Sequence, residues 1–443
     1  MKKQRLFSLL AILLASVLLL SACAGAPAAP DAPAPAAPAE PDAPDAPAAP
    51  AEPDAPAPAG DAELTMGSWR ADDVDQMEAL FAHYFSVSGV QINFLPINPP
   101  DYNAWLRLQL ESGTGPDLMF TRSFATGLDL YESGFLTDIT GVPGVMENFT
   151  EGSRAPWSSS DGVTYALPFV AVSHAVYYNK DIFAENNLSI PNTFDEFVDL
   201  CQELLGLGYI PLANGIADEW DILEVLFLNM LPNYVGGAAE RARYESGALP
   251  LNDANFVAAY TDLARLAPFL PVGFEAITYN DSQALFRTQS AAMFPDGSWN
   301  ISAYDDATFD WGLFSIPPPA GRPGMVTFHS DAGLSINTAS PHIQEAENLV
   351  AWLSTADGAA IAANLMPTGF FPMIDMPITL ENQHANEFLQ LNAGKELDVR
   401  FIWPHLIDLY TPMLHEINSL LTGAQTPQGA ADAVNEAAAA LIG

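Results

Sequence analysis

From residue 64 onward the chain alternates short runs of β-forming residues with stretches whose apolar positions recur at helical spacing, and this alternation confines it to α/β architectures. Residues 64–68, 90–95 and 117–120 read as strands, with a helix over 74–85 between the first two. Further strands are expected at 164–169 and 175–178, followed by helices at 181–186 and 194–205. Thr193 and Glu196 have capping-box spacing for the last helix. Its face of Phe194, Phe197, Val198, Cys201, Leu204 and Leu205 makes Cys201 a buried core thiol. The pattern predicts largely parallel sheets, and ligands of such sheets bind just beyond the carboxyl ends of the strands. Trp69, after the first strand, and residues 121–124, after the third, are therefore the first candidate contacts.

The first 60 residues do not share this pattern. Lys2, Lys3 and Arg5 precede an apolar run over 6–20, which reads as a signal peptide. The run ends in Leu20-Ser21-Ala22-Cys23, which resembles the bacterial lipobox, so Cys23 is expected to become a lipidated N-terminus after removal of residues preceding it. Over 24–60 there are 12 prolines in 37 residues, with Ala, Asp and Glu filling most of the rest. Such a composition builds no core. It favours extended polyproline II, a stalk reaching on the order of 100 Å at ~3.1 Å per residue.

The body, 61–443, is long enough for two substantial cores. The leader carries three of the 15 basic residues and none of the 54 acidic ones, so the mature net charge is near −42. That excludes nucleic acid as a partner. It also points away from anionic ligands, except at a local arginine pocket. With Cys23 lipidated, Cys201 has no intrachain disulfide partner. The body contains no His-Glu-x-x-His, Gly-x-Ser-x-Gly, P-loop or Cys-x-x-Cys motif. His405, Asp408, His415 and Glu416 fall in an amphipathic helical run and read as solvated, so neither metal nor cofactor is expected.

Several segments carry a family resemblance. Gly113-Thr-Gly-Pro-Asp117-Leu-Met-Phe120 forms a turn into a strand, and Leu136-Thr-Asp-Ile139 follows it. Next come Asp161-Gly-Val-Thr-Tyr165-Ala-Leu-Pro168, Val176-Tyr-Tyr-Asn179-Lys-Asp-Ile-Phe183 and Pro191-Asn-Thr-Phe-Asp195. Phe286 to Met293 leads to Gly297-Ser-Trp299, Gly333-Leu-Ser-Ile336 leads into a helix over 345–353, and Thr426-Pro427 opens a closing helix. In order and spacing this resembles the extracellular solute-binding proteins of sugar ABC importers, the group that includes maltose-binding protein. A family lysine in the turn before the Met293 strand is replaced here by Gln289.

The resemblance implies a type II-like periplasmic-binding-protein fold, with two discontinuous α/β lobes. These would be 61–170 with 332–366 and 171–331 with 367–443, joined by crossing hinge segments near 170–174, 327–331 and 366–371. It further implies a monomer outside the cytoplasm that holds a sugar, an oligosaccharide or related neutral carbohydrate, in the interlobe cleft and delivers it to an ABC permease. A polyamine, sugar phosphate or iron chelate is the alternative ligand class. A secreted carbohydrate-active enzyme and a surface scaffold are the competing functions. By family position Trp69, Asp73, Arg122, Ser123, Phe124, Trp299 and Trp403 meet the ligand. Sugars offer hydroxyls to charged side chains and C–H faces to aromatic rings. That chemistry adds Asp218, Glu219 and Trp220 after a strand-like 209–212, and Asp331 beside a crossing. Tyr178 and Asn179 read as structural, whereas His174 fits either cleft or core.

Overall fold

The computed structural model describes residues 62–71, 73–304, 306–402 and 404–442. Cys23, the stalk and Trp403 lie outside the described residues. Ten strands form among those described: β1 Glu63–Ser68, β2 Gln91–Pro96, β3 Leu118–Arg122, β4 Leu167–Asn179, β5 Ile210–Leu212, β6 Ala291–Gly297, β7 Trp311–Phe314, β8 Met325–Ile336, β9 Phe371–Pro372 and β10 Glu396–Asp398. They pair in the order β2-β1-β3-β8-β4-β6-β5, with β10 on β8 and both β7 and β9 on β4.

The sheet is mixed, where the sequence pattern predicts a largely parallel one. β1 pairs in parallel with β2 and β3, β5 with β6, and β10 with β8. The long strands β4 and β8 run antiparallel to each other and to most neighbours. The two strands expected at 164–169 and 175–178 are one strand of 13 residues, nearly all of it buried. Burial on both faces removes the alternation that would mark a continuous strand in the sequence.

β4 and β8 divide the body into two lobes. The first part of β4 pairs with β8, whereas 174–178 pair with β6. β8 joins β3 through 332–336 and β10 through 325–327. The apolar cores follow the same division. One draws its buried members from 64–172 and 332–374. The other two draw on 175–316 and 363–438. The crossings are tied together: the Ser298 hydroxyl accepts from Ser173 N at 3.1 Å and donates to Gly369 O at 2.5 Å.

Local signals behave largely as their chemistry requires. Cys201 is fully buried on the core face of the helix Phe194–Gly206. Thr193 Oγ1 caps that helix from Glu196 N, but the Glu196 carboxylate takes Asn192 N at 2.7 Å, so the capping box is one-sided. Asn179 Oδ1 accepts from Ile182 N at 3.0 Å and caps the helix Lys180–Glu185. Thr426 Oγ1 accepts from Gly429 N at 3.0 Å, with Pro427 opening the helix Pro427–Ile442.

Candidate functional site between the lobes

On the first lobe the ends of β1 and β3 bring Trp69 and Arg122 together. The Arg122 guanidinium lies across the Trp69 ring, 3.7 Å from its centroid, an attraction between a cation and the ring quadrupole. Tyr102 and Phe120 pack around the same indole at 5.5 and 5.6 Å, leaving Trp69 only 4% exposed. Arg122 Nη1 also lies 3.8 Å from Asp331 on the crossing strand β8. Burial pulls the Arg122 pKa down, and Asp331 offsets part of that shift. Asp73 is buried and pairs with Arg70, whose guanidinium lies 4.9 Å from the Phe370 ring. Ser123 donates to Ser330 O at 3.1 Å. Trp69, Asp73, Arg122, Ser123 and Asp331 thus form one neighbourhood.

On the second lobe the organising residue is Tyr279, which the sequence did not single out. Its hydroxyl accepts from Trp299 Nε1 at 2.8 Å and donates to the Asp296 carboxylate at 3.0 Å. The Asn300 amide also bonds to Asp296. Trp220 lies against Tyr279, with ring centroids 3.8 Å apart, and 6.1 Å from Trp299. Asp218 Oδ2 accepts from Tyr279 N at 2.8 Å, so this carboxylate holds a helix start. Glu219 is exposed beside it. Gly297 has a steric role here: a Cβ on it would come 2.1 Å from the Trp299 ring, so only glycine lets the indole fold back over the strand end. Full burial raises the Asp296 pKa well above the usual carboxylate range, despite its donors.

A third group joins these two. Arg400, 4% exposed, pairs with Glu224, which also accepts from Tyr410 Oη at 2.7 Å. Burial, followed by the nearby charge of Arg122, pulls the Arg400 pKa down to about 9. Arg400 Nη2 lies 3.5 Å from His329 Nδ1 on β8. Glu224 sits within a π-helix, Asp221–Phe227, a geometry found disproportionately at functional sites. The sequence reading missed Arg400, Glu224, Tyr410 and His329. One local signal was present: Glu224 is the only charge in the apolar run 222–228.

His174 lies where β4 crosses, opposite Gly297 on β6. Its ring is 5.3 Å from Trp299, edge-on, and 5.4 Å from His329. The centre therefore assembles indoles, imidazoles and guanidinium–carboxylate pairs from both lobes, with no nucleophile–base pair among them. Such a surface is built to hold a polar ligand by hydrogen bonds and ring contacts.

Comparison with known proteins agrees with this architecture. At 27% identity the chain is similar to a multiple sugar-binding protein of Streptococcus mutans, the alignment covering 58% of this chain and 63% of that protein. A galactooligosaccharide-binding protein of Bacillus subtilis matches at 22% identity over 75% of this chain and 78% of its own length. Among solved structures, a bacterial solute receptor described as preferring β-D-galactopyranose superposes with a TM-score of 0.77. That match has 17% identity and covers 87% of this chain and all of the other. A chitin oligosaccharide binding protein superposes at 0.73, with 20% identity and coverage of 86% and 99%. The family model for bacterial extracellular solute-binding proteins matches residues 67–360, which hold both crossing strands and most of the central site, and the chain belongs to that family.

Proposed function

We propose that this protein is the substrate-binding component of an ABC importer, that it captures a neutral sugar, and that it passes the sugar unchanged to a permease. The observation that carries the reading is the balance of the central site. Arg70, Arg122 and Arg400 each lie beside a carboxylate, Asp73, Asp331 and Glu224. Paired charges offer donors and acceptors to hydroxyls without a net field. A sugar phosphate would find each of these guanidinium groups already neutralised. Trp220 and Trp299 add flat apolar surface for sugar C–H faces. Names of the relatives, as binders of multiple sugars and of galactooligosaccharides, favour the same ligand class.

In this reading Trp69, Asp73, Arg122, Ser123, Asp218, Trp220, Trp299, Asp331 and Trp403 surround the ligand. The lobes comprise 61–170 with 332–366 and 171–331 with 367–443. Cys23 carries lipid and tethers a monomer to the outer face of the membrane through the stalk. A thermal-shift screen of the full-length protein tests the ligand class, using maltotriose, raffinose, galactobiose, spermidine and glycerol 3-phosphate. A sugar at 100 times its dissociation constant should stabilise the fold by about 2.7 kcal/mol. Stabilisation by spermidine or glycerol 3-phosphate, with none by the sugars, would replace this reading by the corresponding charged-ligand one.

A further inference from the structure

Given sugar capture by this cleft, we propose that His174 is a ligand contact at its floor, hydrogen-bonding sugar hydroxyls through its two ring nitrogens. The side chain is 1% exposed, yet neither Nδ1 nor Nε2 has a hydrogen-bond partner among the described residues. Buried imidazoles in structural roles ordinarily anchor at least one nitrogen, because an unmet buried donor or acceptor destabilises the fold. The surrounding polar groups are directed elsewhere. Trp299 Nε1 donates to Tyr279, His329 Nδ1 meets Ser330 O at 3.1 Å, and Arg400 holds Glu224.

Position gives the unmet nitrogens their meaning. His174 stands on a strand that crosses between the lobes, with the indole edge of Trp299 on one side and His329 on the other. Burial, then the neighbouring His329 and Arg400, holds its pKa well below 6.5, so the ring is neutral at pH 7. A neutral imidazole has one donor and one acceptor on separate edges. A hydroxyl meets either role, so separate sugar hydroxyls can serve the two edges. An apolar or purely anionic ligand cannot.

Three measurements on the full-length protein test this, with the probe chosen as whichever of maltotriose, raffinose and galactobiose stabilises the wild type most. His174→Phe keeps the aromatic volume and removes both nitrogens. It should lower affinity for that sugar about tenfold or more while leaving the sugar-free melting temperature equal or higher. His174→Asn, which retains a donor and an acceptor, should lose less. In imidazole 15N spectra of the wild type, the His174 resonances, identified by their loss in His174→Asn, should shift on saturation with the sugar. If His174→Phe binds within twofold of wild type, or those resonances stay fixed at saturation, His174 is not a contact. The spectra decide the matter even where His174→Phe fails to fold. Absence of binding by all three sugars to the wild type would instead overturn sugar capture itself.

Discussion

Asp221 accepts from Asn214 Nδ2 at 2.7 Å, Gly215 N at 3.0 Å and Ser282 Oγ at 2.7 Å. Full burial outweighs these three donors and raises its pKa to about 7. A carboxyl raised above its unfolded value near 3.8 contributes stability that is complete below that value and is lost as pH rises through 7. Asp296 acts in the same direction. His174 acts in the opposite one: its depressed pKa weakens the fold as pH falls below 6.5. The Asp221 contribution is isolated by comparison with Asp221→Asn. Relative to that variant, the wild type should lose on the order of 2 kcal/mol between pH 5 and pH 8, measured by urea unfolding. Parallel pH profiles would mean that Asp221 titrates as an exposed carboxylate does. Residues of the site differ in how far their place could be read from sequence. The placing of Trp69, Arg122 and Ser123 at strand ends was legible, because the strand-end rule needs only local pattern. Glu224, Arg400 and Tyr410 were not, because their placement depends on partners 176 and 186 residues away along the chain.

Among the elements, the π-helix Asp221–Phe227 does most to shape the centre. All seven of its residues are buried, and it carries both Asp221 and Glu224 inward. Ile222, Leu223, Leu226 and Phe227 pack into the larger second-lobe core, and Val225 is fully buried beside them. Periodicity analysis assumes 3.6 residues per turn, so a π-helix is invisible to it. The continuity of strand β4 escaped for a related reason, since a segment buried on both faces has no period of two. Glu224 is a buried counter-ion of Arg400, so Glu224→Ala removes a carboxylate that balances the buried guanidinium. Breaking a buried pair from one side costs about 3 to 5 kcal/mol. The double variant Glu224→Leu with Arg400→Met removes both charges and should recover much of that loss while abolishing sugar binding. Denaturant melts and calorimetry separate the two effects. Equal stability of Glu224→Ala and wild type would show that the Arg400 charge is balanced without Glu224.

At the scale of the whole molecule, the central groups are packed against one another across the meeting of the lobes. Arg122 covers Trp69, Asp331 lies beside Arg122, and His174 is enclosed by Trp299 and His329. If the protein captures a sugar as proposed, parting of the lobes would open the way to these groups. Bending at β4 near 170–174 and at β8 near 327–331 would be the means, since the cores draw on different stretches of chain. Ser298, bonded to Ser173 and Gly369, ties two crossings into one hinge and resists their separation. A free protein wider than this structure is then the expectation. On the proposed function, sugar contacts drawn from both lobes would favour the closed form, and the shift in population would follow the differential affinity for the two forms. For the tether-free body, 61–443, we expect X-ray scattering of the free protein to give a larger radius of gyration than this structure. Saturating sugar should bring it down to the value of this structure. A free body already matching this structure, and unchanged by a sugar that demonstrably binds, would mean that entry needs only side-chain motion at Arg122 and Trp69. Lobe closure would then be lost as the signal to the permease.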